Sequence, residues 1–336
     1  LTDKPYAYTD NSRPVQTEAP HIQAMTTHPA IRVENLRKVY RPQGKKGTAP
    51  KTALEGITLT VPQGAMMALL GPNGAGKSTL INILAGLVDK TDGHASIWGL
   101  DIDQHRTASK FKIGIVPQEL NVDPFFTPRE SLELQAGLYG VPPRERRTME
   151  ILEALGLADK ADAYARTLSG GMRRRMMVAK AIVHNPPILV LDEPTAGVDI
   201  QLRQQLWDYV VELNRKGTTI LLTTHYLEEA EKLCDRIAVI HKGQLVADAP
   251  KETLMQRVDS KALSLRFTAP LAEIPAPLRR YEPTQPAPDR LLMTYQPSTT
   301  PVGQILADVA TAGLTIADLS TKEADLEDVF LQLIQA

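Results

Sequence analysis

Short all-apolar runs, separated by stretches with helical periodicity, set the plan of this chain. Met66-Met67-Ala68-Leu69-Leu70, Ile188-Leu189-Val190-Leu191, Thr219-Ile220-Leu221-Leu222 and Ile237-Ala238-Val239-Ile240 each read as a strand buried on both faces. Ile113-Gly114-Ile115-Val116 reads as a further strand that stops at Pro117-Gln118. After the first run, Leu80, Ile83, Leu84 and Leu87 recur at helical spacing. Gln201 to Lys216 is the helix that completes a βαβ unit between two of the runs. Ile31 and Val33, and then Ile57, Leu59 and Val61, alternate with polar residues as in an antiparallel sheet. A polar loop, Arg41 to Lys51, lies between them. From about Thr127 to Gly171 the pattern turns helical, opening on Thr127-Pro128-Arg129-Glu130, a threonine N-cap followed by proline at the first helical position.

Beyond Lys251 the pattern changes. Leu263, Leu265 and Phe267 alternate as a half-buried strand, six prolines follow between Pro270 and Pro288, and two helical stripes close the chain. The stripes are Val302, Ile305, Leu306 and Val309, ended by Gly313, and Leu326, Val329, Phe330 and Leu333. Residues 257–336 thus predict a small α+β accessory or regulatory appendage, at the low end of domain size. At the other end, residues 1–29 are polar and proline-punctuated with no period, and predict a disordered arm. The chain opens on leucine and Met25 stands just ahead of the first strand, so Leu1 and Met25 are both candidate start residues. No internal repeat appears.

Composition narrows the classes. The 336 residues are 43% apolar and 23% charged, enough for packed domains with an ordinary polar surface. A net charge of −1 argues against a chain that coats nucleic acid. Its single cysteine, Cys234, excludes an internal disulfide framework and reads as a small buried apolar residue rather than a catalytic thiol. No stretch approaches the roughly 18 consecutive apolar residues of a membrane span, and the N-terminus lacks a signal-peptide core.

The chemistry concentrates at strand ends. Gly71-Pro72-Asn73-Gly74-Ala75-Gly76-Lys77-Ser78, followed by Thr79, matches G-x-x-x-x-G-K-[ST] between a strand and a helix. Backbone N–H groups and a helix N-terminus there surround an anion, Lys77 adds a cation for the β- and γ-phosphates, and Ser78 offers a hydroxyl to Mg²⁺. Asp192 and Glu193 end the Ile188 strand: Asp192 is assigned to the metal and Glu193 to the attacking water, with a helix N-cap pair ahead of Pro194 as the alternative. Gln118 and His225 follow two other strands, and Asp199 follows Asp192 by a short loop. Ligands of open α/β sheets bind at such ends. Ser169, Gly170 and Gly171 open a helix running through Met176, Ala179 and Val183, which makes a second anion-binding helix start. Arg173, Arg174 and Arg175 on it read as a solvated face, with acidic groups or lipid heads as the alternative.

Leu168-Ser169-Gly170-Gly171-Met172 resembles the signature of ATP-binding cassette (ABC) transporter ATPases. The whole order is similar to that family: Tyr40 as the aromatic, Gly71–Ser78 as Walker A, Gln118 as Q-loop, the signature, Asp192-Glu193 as Walker B, Ala196–Asp199 as D-loop and His225 as H-loop. Leu-Ser-Gly-Gly-Met-Arg-Arg-Arg, Asp-Glu-Pro-Thr-Ala-Gly-Val-Asp and the tail Leu326-Glu327-Asp328-Val329-Phe330 resemble the ABC-2 type and multidrug exporters. The resemblance implies an α/β fold, a P-loop NTPase cassette over residues 30–250 with a mixed RecA-like sheet, an antiparallel β subdomain and a helical subdomain at about 127–171. It implies ATP and Mg²⁺ as cofactors, the ion held by Ser78, Gln118 and Asp192. It also implies catalysis by Glu193, His225 and Gln118, and Tyr40 stacked on adenine, for which the alternative is a tyrosine packed on the β subdomain. Met172 departs from the commoner glutamine.

The same resemblance implies a sandwich dimer in which the signature of a second copy closes over each Walker loop, and a separate integral membrane ABC-2 type permease docked near Gln118 and residues 127–171. An apolar patch around Phe125, Phe126 and Leu132 is the candidate interface. The location implied is the cytoplasmic face of a bacterial plasma membrane. A non-transport ATPase acting on nucleic acid or ribosomes is the other class. It is disfavoured by the single cassette, the near-neutral charge and the spacing of about 90 residues between Walker A and signature without sustained heptads.

Overall fold

The computed structural model describes residues 28–41, 49–195, 197–198, 200–256, 261–323 and 325–335. The polar arm ahead of residue 28, Met25, Ala196 and Asp199 therefore lie outside the described residues.

β1 (Ile31–Tyr40) and β2 (Lys51–Val61) pair antiparallel, with Ile31 opposite Val61 and Val33 opposite Leu59. β3 (Met66–Leu70) leads through the glycine loop into α1 (Lys77–Leu84). The helix is shorter than its apolar stripe predicts. Gly86 turns the chain with φ +65°, and Leu87 is left 73% exposed beyond the helix end. β4 (Asp92–Ile97) and β5 (Leu100–Asp101) extend the first sheet to the order β2-β1-β4-β5. β4 escapes a reading of periodicity because only Ala95 and Ile97 of its six residues are buried.

The second sheet holds the site. α2 (Arg106–Lys110) precedes β6 (Ile113–Val116), and the helical region follows with α3 (Pro128–Leu138) and α4 (Thr148–Ala154). Thr127 does cap α3: its hydroxyl accepts from Glu130 N while the Glu130 carboxylate accepts from Thr127 N, a reciprocal capping box. α5 (Gly170–Ile182), β7 (Ile188–Asp192), α6 (Ile200–Arg215), β8 (Thr219–Thr223), α7 (Leu227–Leu233), β9 (Arg236–His241), β10 (Gln244–Pro250) and α8 (Lys251–Met255) complete this part. The strand order is β10-β9-β3-β8-β7-β6, parallel from β9 to β6 with β10 antiparallel at the edge. Every residue of β3, β7 and β8 is buried. Met67 and Leu69 of β3 enter the core shared with the antiparallel sheet and α1, while Met66, Ala68 and Leu70 enter the core under α5, α6 and the helical region. Cys234 lies in that second core, where burial pushes its thiol pKa far up.

Residues 261–323 make a third sheet, from β11 (Lys261–Phe267), β12 (Thr284–Ala287), β13 (Arg290–Tyr295) and β14 (Ile316–Glu323), in the order β12-β13-β11-β14. It is antiparallel, and α9 (Val302–Thr311) covers one face, burying Leu263, Leu265, Leu291, Met293, Ile305 and Val309 together. α10 (Leu326–Gln335) does not join that core. Its Leu326 and Val329 are buried in the large core of residues 66–254, with Phe330 and Leu333 packed beside them, and the Leu326 N–H donates to the Glu231 carboxylate at 3.0 Å.

Candidate functional site

Four adjacent parallel strands, β3, β8, β7 and β6, all end on one edge, and each end carries a residue singled out above. The loop after β3 is tight against its neighbours. A Cβ on Gly71 would sit 2.2 Å from the Ile240 carbonyl of β9, and one on Gly76, at φ +114°, would sit 2.6 Å from the Ala53 carbonyl. Only glycine lets the backbone pass there and turn its N–H groups toward an anion. Gly76 is the N-cap of α1, whose first residue, Lys77, is buried. The Lys77 ammonium donates to Gly71 O at 2.6 Å and Pro72 O at 3.2 Å, so it bridges the loop from inside. Burial pushes its pKa below the ordinary lysine value, and the negative charges of Glu193 and Asp192 oppose that shift. Ser78 and Asn73 are exposed, and Thr79 is half-buried.

The carboxylates come next. Asp192, 5% exposed, accepts a short hydrogen bond from the Thr223 hydroxyl at the end of the neighbouring strand. Glu193 leaves β7 with φ +50°, a strained conformation for a side-chain-bearing residue, and its N–H is held by Thr223 through both the carbonyl and the hydroxyl at 3.1 Å. Glu193 Oε2 accepts from the Gln118 side-chain amide at 3.0 Å and lies 3.6 Å from His225 Nδ1. The helix-cap alternative for Asp192-Glu193 falls away: residues 193–195 form a turn and α6 starts only at Ile200. The structure thus brings Gln118, Asp192, Glu193, His225 and Lys77 to one edge. Two carboxylates, a hydroxyl and an amide oxygen offer oxygen ligands to a hard cation, and the ammonium pairs with a polyphosphate, so the residues fit Mg²⁺ and a nucleotide.

Ser169 caps α5, its hydroxyl accepting from Met172 N at 3.2 Å. Leu168 and Gly171 are buried, Ser169 and Gly170 are exposed, and Met172 packs against the large core instead of offering a polar group. Among the described residues no hydrogen bond joins Leu168–Met172 to the phosphate loop, so within one chain this exposed helix start stands apart. Tyr40 ends β1 with its side 40% exposed and the Lys38 ammonium 4.8 Å from its ring centroid, so its ring face is not sealed in the β subdomain.

Two readings need correction. Arg174 and Arg175 are not a solvated face: they are 5% and 3% exposed. Arg174 Nη1 donates to the Pro117 carbonyl at 2.9 Å, tying the signature helix to the residue before Gln118, and Arg175 Nη1 donates to the Leu155 and Gly156 carbonyls. Burial lowers the Arg174 pKa while Glu193 and Asp192 raise it. Both arginines lie at helical spacing from buried Gly171 and Val178, the signal that could have placed them inside. Leu132 is likewise wholly buried; the exposed apolar surface comprises Phe125, Phe126, Leu134 and Leu138. Glu229 carried no motif, yet it is 9% exposed and accepts from Thr195, Thr224 and Trp207. Its place on the stripe Tyr226, Glu229, Ala230, Leu233 was the legible clue.

Residues 54–196 match the ABC transporter family. The chain is 40% identical over 230 residues to the linearmycin resistance ATP-binding protein LnrL of Bacillus subtilis (strain 168), covering 68% of this chain and 71% of that protein. It is 36% identical over 329 residues to the Nod factor export ATP-binding protein I of Ralstonia nicotianae (strain ATCC BAA-1114 / GMI1000), covering 94% and 97%. Among solved structures, the dimeric post-hydrolysis state of the ATP-binding cassette MJ0796 bound to ADP and Pi matches with a TM-score of 0.59 and 29% identity, over 66% of this chain and 98% of that one. Strand-end chemistry, fold and relatives converge, and the chain belongs to the ATP-binding subunits of ABC transporters, ATPases whose hydrolysis is coupled to transport across a membrane.

Proposed function

We propose that this chain is the motor subunit of a bacterial exporter, closing as a homodimer around two Mg-ATP and driving a separate ABC-2 type permease at the cytoplasmic face of the plasma membrane. Export is supported by relatives named for Nod factor export and for linearmycin and daunorubicin resistance. A separate membrane chain is supported by the fact that no helix among the described residues is long and apolar enough to cross a membrane. The exposed Phe125, Phe126, Leu134 and Leu138, on and beside α3, are the surface such a permease would cover.

The observation that carries the hydrolytic reading is the contact of Glu193 Oε2 with both the Gln118 amide and the His225 ring. Gly71–Thr79 hold the phosphates, Lys77 neutralises them, and Tyr40 stacks on the adenine. Glu193 orients the water in line with the γ-phosphate, Gln118 fixes that carboxylate, and His225 holds the γ-phosphate from the far side. Ser78, Asp192 and Gln118 supply oxygen ligands to Mg²⁺, which when bound neutralises charge building on the phosphate oxygens. Ser169, Gly170 and Gly171 of a second copy present an exposed helix N-terminus to the open side of the phosphates, with Leu168 and Met172 seating that helix start. Cassettes of similar fold are dimeric.

Glu193→Gln tests the whole assignment. It keeps the shape of the site and removes the charge that orients water, so hydrolysis falls by about 10²–10⁴-fold while ATP still binds. Gel filtration with ATP then shows a stable dimer; a monomer that hydrolyses ATP at the parent rate sinks the reading.

A further inference from the structure

The distance from His225 Nδ1 to Glu193 Oε2 is set by two turns that belong to different strands, and something must hold those turns in register. Glu229, one helical turn beyond His225 on α7, is buried between them. Its Oε2 accepts from the Thr195 hydroxyl at 3.1 Å and from the Thr224 hydroxyl at 2.9 Å. Thr195 closes the turn that begins at Glu193, and Thr224 directly precedes His225. The Thr224 oxygen also accepts from Tyr226 N at 3.0 Å, which fixes the bend on the other side of the histidine. The second oxygen, Oε1, accepts from the Trp207 indole N–H at 3.1 Å and lies 3.6 Å from Arg203 Nε, both on α6. Arg203 in turn places its guanidinium 4.3 Å from the Tyr226 ring centroid, and the Tyr226 ring lies 4.0 Å from the His225 ring.

We infer that Glu229 is a positioning residue for hydrolysis, holding the Glu193 and His225 turns at reacting distance through Thr195 and Thr224, and that Arg203 braces His225 through the face of Tyr226. The carboxylate suits the task because it is acceptor-only and can take four donors at once. Two hydroxyls, an indole and a guanidinium meet it there, so no part of its charge is left unpaired in the interior. A neutral amide at the same position has one oxygen and one NH2; the indole and guanidinium only donate and take the oxygen, so the NH2 is left facing the Thr195 and Thr224 hydroxyls, which must reverse from donating to accepting. The charge-assisted bonds that anchor the two turns would then be lost. His225 itself is about half exposed, so packing alone does not hold its ring. The contacts of the Tyr226 ring with Arg203 and, tilted by 40°, with His225 supply what burial does not.

The inference rests on the reading of Glu193 and His225 as hydrolytic residues, and a double-mutant cycle in the full chain separates the two. His225→Ala first tests that reading: if it leaves the turnover of ATP unaltered, the reading fails and this inference with it. Given a loss there, Glu229→Gln lowers kcat by about 100-fold, the effect of misplacing a reacting group by an ångström, while KM and the Kd for ATP stay within threefold. Added to His225→Ala, it costs little further activity, because the register it holds matters only while His225 faces Glu193. Tyr226→Ala lowers kcat less, and Tyr226→Phe, which restores the ring, recovers that loss; these variants serve should Glu229→Gln not fold. Parent kcat in Glu229→Gln, a multiplied loss in the double variant, or a loss that appears in ATP affinity instead of kcat overturns the inference. So does a phenylalanine no better than alanine at position 226.

Discussion

The sheet that runs from β3 to β10 and the third sheet, of residues 261–323, bury comparable side chains and yet only the first makes a site. In the parallel sheet, β3, β7 and β8 are buried along their whole length, on both faces. Polar groups can stand only where those strands stop, and because the strands are parallel they all stop on one edge. Lys77, Gln118, Asp192, Glu193 and His225 are therefore neighbours despite large sequence separations. In the antiparallel sheet of residues 261–323, β13 alternates buried Leu291, Met293 and Tyr295 with exposed partners. Its polar residues are spread along an open face, and successive strand ends point in opposite directions. Convergence of chemistry comes from two-sided burial in parallel strands, and one-sided burial forfeits it.

The largest effect that sharpens this contrast is Lys77→Ala. The ammonium is buried inside the loop, and its loss removes charge-assisted hydrogen bonds to phosphate worth about 1.5–3 kcal/mol each. ATP affinity, measured by isothermal titration calorimetry, falls by at least about 100-fold, since each 1.4 kcal/mol is tenfold. Lys322→Ala on the third sheet leaves that affinity alone, because its ammonium meets Asp325 at 2.7 Å in an exposed pair. A similar loss from both variants would break the comparison.

Most of the architecture was legible because burial on both faces writes itself as unbroken apolar runs. All four such runs and the Ile113 strand are strands of the parallel sheet. Lys77, Gln118, Asp192, Glu193 and His225 likewise gather at one edge, whereas Leu168–Met172 stands apart within one chain and Asp199 lies outside the described residues. What was not legible depends on distant backbone. Nothing in Arg173-Arg174-Arg175 names the carbonyls of Pro117, Leu155 and Gly156 that let two of the three enter the core. Glu228 and Glu229 are alike in sequence, and only the helical phase puts the second inside. Leu87 shows the converse error, an apolar residue in phase with a helix that has already ended.

A smaller effect concerns the boundary between the two regions. The stripe Leu326, Val329, Phe330, Leu333 follows the third sheet in sequence but packs with the cassette. Leu326→Ala and Leu265→Ala each delete a buried leucine and each cost about 2–5 kcal/mol where they act. The first lowers the melting temperature of the nucleotide-binding part and shortens the thermal half-life of ATP hydrolysis. The second loosens residues 261–323 and leaves ATP affinity near the parent value. Calorimetry with and without ATP distinguishes them: ATP raises the transition that Leu326→Ala lowers and does not move the one that Leu265→Ala lowers. If the assignments are reversed, α10 belongs with the third sheet after all.

The smallest effect is acid sensitivity, and it divides the regions by pH. His184, in the turn just beyond α5, stacks on Tyr139 with ring centroids 3.8 Å apart, and burial pushes its pKa down to about 4, the Ile113 backbone opposing. A histidine held neutral by the folded state is protonated only after unfolding as pH falls below its ordinary value of about 6.5. Stability from this residue is therefore complete above about 6.5 and is lost as pH falls toward about 4. The third sheet and α10 contain no histidine. Their Asp308 is held below the ordinary carboxylate value, first by the Tyr281 hydroxyl and then by Arg280, so its contribution is lost only at more acidic pH. Lowering pH from 7 to 5 should thus reduce the cassette transition by a few degrees and leave the other in place. His184→Phe, which keeps a flat ring against Tyr139 and cannot take a proton, removes the part of that drop due to this residue. An equal fall in the variant would show that His184 is not the group that refuses the proton, and a fall in both transitions would erase the pH boundary between the two regions.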